Sequence, residues 1–271
     1  MLQQKKLNEI TPKEEITLFL LINKIEIKTA KTGNDFINLE LKDQSGTIQA
    51  KIWEKIEDYS KMLFDGAVVK INGIVEEFNN TLQLNIKKIR LATPDDGITT
   101  EDFLPKSSRN FDEMKKEFFD AIDSIKNPFI KKLLENIFNG DILNNYFRTP
   151  AGKNWHHSYL HGLLEHTIEI VKICDLVSSF HKEIKRDVLI AGALLHDIGK
   201  IEELTYSSNF DYTDQGKLLG HIMIGATLVE KHISLIPDFP CCLTVSNFCS
   251  ISARRFCKLG IVLYLISATL L

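Results

Sequence analysis

Ile37-Asn38-Leu39-Glu40-Leu41-Lys42 alternates strictly between apolar and polar side chains, and this stretch decides the fold of the N-terminal part of the chain. A period of two predicts a strand with one face in a core and the other in solvent. The turn Asp43–Gly46 follows. A second alternating strand comes next, with Ile48, Ala50 and Ile52 on its inward face. The pair therefore predicts a β-sheet that covers a core.

Further strand signals lie on both sides of this pair. Upstream, residues 16–27 are rich in β-branched and apolar side chains and end at a turn at residues 31–34. Downstream, Glu54–Phe64 breaks the alternation and predicts a short helix. Two more alternating strands follow, joined by a hairpin turn at Asn79-Asn80. Three strands, a helix and two strands within residues 13–92 is the order of an OB-fold, a small barrel that often binds single-stranded nucleic acid.

The periodicity changes after residues 93–110, which carry Pro, Gly and Ser without an apolar repeat and so predict a linker. From Phe111 onward, apolar side chains recur at three- and four-residue spacing, which predicts helices. These helices are expected over residues 111–125, 129–138, 156–180, 186–196 and 221–233. The predicted fold class is therefore α+β with two domains, an OB-fold barrel at 13–92 followed by an all-α bundle at 111–240.

Composition narrows the function classes. Hydrophobic residues make up 44% of the 271 residues and charged residues 25%, as in a folded globular protein. The net charge of −3 argues against wrapping duplex DNA by bulk electrostatics. No signal peptide is visible, and the longest apolar run, Leu259–Leu271, has 13 residues against the roughly 20 that span a bilayer. The expectation is a cytoplasmic protein without a membrane partner; the oligomeric state stays open.

The catalytic site is expected in the segment Leu194-Leu195-His196-Asp197-Ile198-Gly199-Lys200. In this segment an apolar helix is followed directly by a His-Asp pair. Adjacent helical residues point about 100° apart. His196 and Asp197 could therefore bind one metal ion at the helix end but could not complete its coordination. His166, on the apolar helix 163–176, is the candidate third ligand, and His221 is a candidate fourth. The alternative is that His196 and Asp197 form only an ion pair at the end of the helix. The free-energy cost of desolvating this pair argues against that alternative.

The barrel offers a second candidate site. Phe36 on the second strand, and Lys51 and Trp53 on the third, fall on the outward face. Exposed rings interleaved with lysine suit single-stranded nucleic acid, because bases stack on rings and phosphates pair with ammonium groups. The alternative is that Trp53 packs on the helix predicted at 54–64.

His166, His196-Asp197 with Gly199-Lys200, and Gly220-His221 together resemble the HD-domain superfamily of metal-dependent phosphohydrolases. The OB-fold before this domain and the segment Asn154–Thr167 narrow the resemblance to the YhaM-type 3′→5′ exoribonucleases, over roughly residues 13–240.

The resemblance implies roles for individual residues. His166, His196 and Asp197 match metal ligands, and His221 matches a ligand of a second metal ion. Asp197 and Lys200 are the implied catalytic residues, and Lys200 could neutralise a phosphate oxygen. The resemblance also implies a divalent metal, with Mn²⁺ as the expected ion, and hydrolysis of a phosphodiester by a metal-activated hydroxide.

The resemblance also places the segment 154–161 beside the metal centre. His157 and His161 are expected one helical turn apart on a shared face, near Tyr159. Two roles are equally favoured for these three residues. They contact phosphate or ribose, or their role is purely structural.

The chain departs from the family pattern after residue 240. The family continues with a His-His pair and a later Asp, whereas nothing beyond His232 is histidine and nothing beyond Asp238 is acidic. Residues 241–271 are therefore expected to be an aberrant or truncated tail that leaves the HD domain incomplete, with weak Mn²⁺ binding and low activity. Its four cysteines include no C-x₂-C pair, so a zinc site is not expected.

Three functions remain open. The favoured one is a 3′→5′ exoribonuclease, in which the barrel holds a single strand of RNA or DNA and the HD domain cuts its end. The second is an HD-type nucleotide phosphohydrolase. The third is a nucleic-acid-binding protein whose HD site is inactive. The sequence does not distinguish RNA from DNA.

Overall fold

The computed structural model describes residues 4–30, 32–153, 157–206 and 210–243. The chain divides into two compact units, one up to Pro105 and one from Lys106, and each is described by itself. Three sequence predictions lie partly or largely outside the described residues. They concern the turn at 31–34, the segment 154–161 and the tail from residue 241.

The first unit is a closed barrel of five strands in the order β1-β2-β3-β5-β4. The strands are β1 Glu15–Thr29, β2 Asp35–Asp43, β3 Gly46–Ile52, β4 Val68–Phe78 and β5 Thr81–Leu91. Helix α1, Ile56–Met62, connects β3 to β4, and a 3₁₀ turn at Leu7–Glu9 precedes β1. β3 pairs with β5 in parallel, and the other pairings are antiparallel. The predicted order of strands and helix is confirmed.

The barrel core is built by the residues that the alternation placed inward. Ile37, Leu39 and Leu41 on β2 face Ile52, Ala50 and Ile48 on β3, and all six are buried. Because side chains alternate along a strand, the polar residues between them are left on the outer surface. The expected linker contains 3₁₀ turns at Pro94–Asp96 and Thr100–Phe103, and the Phe103 side chain is buried.

The second unit is a helical bundle. Its helices are α2 Phe111–Asp123, α3 Pro128–Ile137, α4 Gly140–Arg148, α5 Gly162–Phe180, α6 Arg186–Leu195, α7 Lys200–Glu203 and α8 Asp214–Ser234. Asn110 and Asn127 cap α2 and α3, because each side chain accepts hydrogen bonds from backbone N–H groups of the first turn. α8 is broken at Gly220, whose φ is 71°. A 3₁₀ turn at Cys241–Leu243 ends the described chain.

Tyr146 forms hydrogen bonds to both helices that position the expected site residues. Its side chain is fully buried, and its hydroxyl is hydrogen-bonded to Thr167 Oγ1 on α5 at 2.6 Å and donates to the Leu194 carbonyl on α6 at 3.2 Å. Burial raises the pKa of Tyr146, so the hydroxyl keeps its proton. These hydrogen bonds therefore fix the position of α5, which carries His166, relative to the end of α6, which His196 follows.

The predicted helical bundle is confirmed, and two of its details differ from the expectation. The helix expected from residue 156 begins at Gly162, because His157 and His161 have positive φ values of 58° and 70°. The loop folds back so closely that a Cβ on Gly162 would lie 2.0 Å from the His157 carbonyl oxygen. The unit also contains one short antiparallel strand pair, β6 Leu204–Tyr206 with β7 Phe210–Tyr212. Strands of three residues are too short to show an alternating pattern.

Among the described residues, no helix is both long and apolar enough to cross a membrane.

Candidate functional site

His166, His196 and Asp197 meet at one point of the helical unit. His166 lies on α5, and the His-Asp pair follows the last residue of α6. One ligand atom from each of the three lies within 4.8 Å of the others. The two imidazole Nε2 atoms are 3.2 Å apart, and they lie 3.6 Å (His166) and 3.2 Å (His196) from Asp197 Oδ2. The convergence expected from the sequence is present.

The charge at this point is a buried carboxylate. The Asp197 residue is 6% exposed, and Lys200 Nζ contacts its Oδ2 at 2.7 Å. Burial alone would raise the pKa of Asp197, but His196 and Lys200 outweigh burial and hold this pKa well below its usual range. Asp197 is therefore ionised at neutral pH and available to a cation.

The two histidines direct ring nitrogens at this point. Burial, reinforced by the neighbouring His196, lowers the pKa of the His166 imidazole to about 4. His166 is therefore neutral at pH 7. His196 Nδ1 lies 2.8 Å from the Ala193 carbonyl oxygen, which can only accept a hydrogen bond. Nδ1 therefore donates to that oxygen, and Nε2 is the nitrogen that His196 turns toward His166 and Asp197.

These donors fit a divalent transition metal. Two imidazoles and one ionised carboxylate are ligands that such ions accept, and a tight cluster of the three is needed to reach one ion. His221 extends the cluster. Its Nε2 lies 3.4 Å from Asp197 Oδ1, whereas the contacts of His166 and His196 are with Oδ2. Asp197 thus has one oxygen toward each side of the centre.

Gly199 brings His221 to this position. A Cβ on Gly199 would lie 2.0 Å from the His221 carbonyl oxygen and 2.6 Å from the Gly225 amide nitrogen. Both are backbone atoms, so no side-chain rotation could relieve the clash. The glycine of His-Asp-x-Gly-Lys therefore lets α8 pack directly against the His-Asp turn.

We expect Gly199→Ala to lower the free energy of unfolding by about 1–3 kcal/mol, because α8 must move outward. The matched control is Gly192→Ala on α6, where a Cβ would meet nothing within 4 Å. That change should be neutral or stabilising by up to about 1 kcal/mol, because alanine favours helix. Urea unfolding monitored by circular dichroism measures both. Equal effects of the two substitutions would contradict the packing role of Gly199.

His157 and Tyr159 lie beside the centre, although not on a helix. The His157 ring centroid is 5.8 Å from that of His166. Tyr159 Oη donates to Glu165 Oε2 at 2.7 Å and therefore accepts from His157 Nδ1, which is 2.6 Å away. Burial and Glu165 raise the pKa of Tyr159, so the hydroxyl keeps its proton. The chain of hydrogen bonds holds the His157 ring next to His166.

His161 points elsewhere, which corrects the shared face expected for it and His157. Its Nδ1 lies 2.6 Å from the Phe147 carbonyl oxygen, and its ring stacks on Phe111 with 4.4 Å between centroids. The expectation was wrong because it assumed a helical turn where the backbone forms a loop.

The outer surface of the barrel carries a cluster of aromatic and cationic side chains that includes the predicted trio. The Phe36 and Trp53 rings stack with their centroids 4.7 Å apart, and Trp53 is 44% exposed. Lys51 Nζ lies 5.7 Å from the Phe36 centroid and 5.8 Å from that of Phe78, which is 60% exposed. We call Phe36, Lys51, Trp53 and Phe78 the aromatic cluster.

Two residues of these sites were missed by sequence reasoning. Phe78 joins the aromatic cluster from the end of β4, next to the Asn79-Asn80 hairpin, and an aromatic residue beside a hairpin turn was the available signal. Glu203 contacts His221 through its carboxylate. Its position three residues after Lys200 gave no signal of that contact.

Family models match parts of both units. Residues 22–92 match the OB-fold nucleic acid binding domain, and residues 163–252 match the HD domain. Among solved structures, a domain of replication protein A from Methanococcus maripaludis is 22% identical and covers 32% of this chain and 92% of that chain, with a TM-score of 0.28.

Two curated relatives share most of the chain. A protein named 3′-5′ exoribonuclease YhaM from Oceanobacillus iheyensis is 35% identical over 209 residues, which are 77% of this chain and 66% of the relative. The protein of the same name from Listeria welshimeri is 32% identical over 235 residues, which are 87% of this chain and 74% of the relative. The chain thus spans about two thirds to three quarters of the length of these relatives. With an OB-fold barrel, an HD domain and this similarity, the chain belongs to the YhaM exoribonuclease family.

Proposed function

We propose that this chain is a metal-dependent 3′→5′ exoribonuclease, in which the barrel holds single-stranded RNA and the HD domain hydrolyses the phosphodiester at its 3′ end. The observation that carries the proposal is the convergence of His166, His196 and the buried Asp197 at one point. The two relatives named as 3′-5′ exoribonucleases support this choice of reaction.

His166, His196 and Asp197 would hold one divalent ion, and His221 with the second oxygen of Asp197 could hold another. We propose Mn²⁺, because mixed imidazole and carboxylate ligation suits it. A divalent ion here supplies Lewis-acid polarisation of the phosphoryl oxygen and lowers the pKa of water for attack on phosphorus.

The protein's own groups then bind and orient the 3′ end. Lys200 Nζ already donates to the Ala151 carbonyl oxygen at 2.6 Å and contacts Asp197 at 2.7 Å. An ammonium group has three donors, so one remains for a phosphate oxygen. His157 and Tyr159 form the adjoining wall and are proposed to contact the terminal phosphate or ribose. For His161 we propose a structural role, because its Nδ1 is hydrogen-bonded to the Phe147 carbonyl oxygen and its ring stacks on Phe111.

The aromatic cluster would bind the single strand. Exposed rings stack with bases of any sequence, and Lys51 adds attraction to the phosphates. The same features suit single-stranded DNA, so the preference for RNA rests on the names of the relatives.

We also propose that the enzyme works in the cytoplasm. The Cys174 thiol is free and buried, which fits a reducing compartment.

A 5′-labelled single-stranded RNA tests the reaction. With Mn²⁺ we expect a ladder of products that shorten progressively from the 3′ end, and excess EDTA should stop it. Single-stranded DNA of the same sequence and a panel of nucleotides, run in parallel, define the substrate class.

The alternatives predict different products. Free phosphate or pyrophosphate from nucleotides, with RNA left intact, would establish a nucleotide phosphohydrolase instead. Binding of RNA without shortening at any Mn²⁺ concentration would establish a nucleic-acid-binding protein with an inactive HD site.

A further inference from the structure

Glu203 is a buried carboxylate that the proposed reaction does not use. It is the last residue of α7 and is 7% exposed. A buried carboxylate is unfavourable unless hydrogen bonds satisfy it. Glu203 Oε1 accepts two of them from a single residue, one from the His221 backbone N–H at 2.9 Å and one from His221 Nδ1 at 3.0 Å.

The backbone of Glu203 is held as firmly as its side chain. The Thr213 backbone N–H, at the start of α8, donates to the Glu203 carbonyl oxygen at 2.9 Å. Gly216 packs so closely that a Cβ there would lie 2.3 Å from the same oxygen. Glu203 is therefore a fixed point from which the two hydrogen bonds reach His221, just beyond the break at Gly220.

The hydrogen bond to Nδ1 decides which nitrogen of His221 carries the proton. An ionised carboxylate only accepts hydrogen bonds, so neutral His221 must carry its proton on Nδ1. Nε2 then presents its lone pair, and it lies 3.4 Å from Asp197 Oδ1. In metal sites, a carboxylate behind an imidazole fixes the tautomer and the ring orientation in this way.

We propose that Glu203 is a positioning residue, which holds His221 in the Nδ1-protonated tautomer with Nε2 directed toward the Asp197 carboxylate, ready to bind a divalent cation. This inference rests on the proposed function for the role of the cation. The tautomer and the cation affinity can nevertheless be measured without RNA hydrolysis.

The tautomer is measured on the unchanged protein by NMR of histidine ¹⁵N nuclei near pH 8 without added metal, with the His221 signals assigned by their loss in His221→Gln. We expect the pattern of a single Nδ1-protonated form. An Nε2-protonated form, or a mixture of the two, overturns the proposal. No substitution at Glu203 is needed for this measurement, so it holds even if variants at that residue fail to fold.

Cation binding is measured by titrating Mn²⁺ in a calorimeter. We expect Glu203→Gln to weaken binding by about 10–100-fold, because an amide can donate as well as accept and so no longer imposes the Nδ1-protonated tautomer on His221. The matched control is Glu202→Gln, one residue earlier on α7, where the side chain is exposed and its Oε2 accepts from Gln215. This control should bind Mn²⁺ like the unchanged chain.

The double variant Glu203→Gln/His221→Gln separates positioning from a general structural effect. If Glu203 acts through His221, the double variant binds Mn²⁺ no more weakly than His221→Gln alone. A further loss in the double variant overturns the proposal. If the unchanged chain shortens no RNA while these binding differences hold, the proposed reaction fails and the role of Glu203 stands.

Discussion

Asp197→Asn is expected to abolish RNA shortening and to weaken Mn²⁺ binding by more than about 100-fold, since loss of an outer partner alone costs 10–100-fold. Asp197 is the ionised group of the cluster and faces His166 and His196 with one oxygen and His221 with the other. The amide keeps the size of the side chain and removes the negative charge. Calorimetric titration with Mn²⁺ and the assay with 5′-labelled RNA measure the two effects.

A matched aspartate separates this effect from general charge loss. Asp175→Asn removes an exposed partner of Arg186 on the same unit, and an exposed pair of this kind contributes about 0–1 kcal/mol. This control should keep both metal binding and activity. Circular dichroism confirms that each variant is folded, because Asp197→Asn also leaves Lys200 without its counter-ion. Robust RNA shortening by folded Asp197→Asn would show that the reaction takes place elsewhere.

The double substitution Phe36→Ala/Trp53→Ala is expected to weaken binding of single-stranded RNA by at least about 10-fold. Stacking of one base on an aromatic ring contributes about 1–3 kcal/mol, and the stacked pair offers at least one such platform. Fluorescence anisotropy with a labelled RNA measures the affinity. Mn²⁺ binding should not change, because the cluster of His166, His196 and Asp197 belongs to the other unit.

Phe64→Ala is the control for the aromatic cluster. Phe64 is 58% exposed on the same unit but takes no part in the cluster, so its loss should leave RNA affinity unchanged. If Phe64→Ala weakens binding as much as the double substitution, RNA does not bind through the aromatic cluster. The salt dependence of binding should also fall in Lys51→Gln, because one ammonium group is lost.

Local patterns determined most of the architecture. The alternation from Ile37 to Ile52 predicts β2, β3 and their buried faces, because the side chains of a strand point alternately to opposite sides. The change of period near residue 111 predicts the helical unit. The site was also visible in the sequence, since His196-Asp197 ends an apolar helix and His166 lies within another.

The tertiary structure alone decided the features that join distant segments. Phe78 reaches the aromatic cluster although it lies more than twenty residues beyond Trp53 in the chain. The loop at His157–His161 replaced an expected helical turn, and its rings went in different directions. Hydrogen bonds to Glu165 and Phe147, which the sequence pattern does not encode, hold those rings.

The same distinction applies within the proposed metal centre. The sequence determined which ligand types are present, because His166, His196, Asp197 and His221 stand in a recognisable pattern. The packing of α8 against Gly199, and of Gly216 against Glu203, decided where His221 lies and which of its nitrogens faces Asp197. The physical reason is that periodicity and local propensity act over a few neighbouring residues. The orientation of an imidazole depends instead on close contacts between helices, which exist only once the chain has folded.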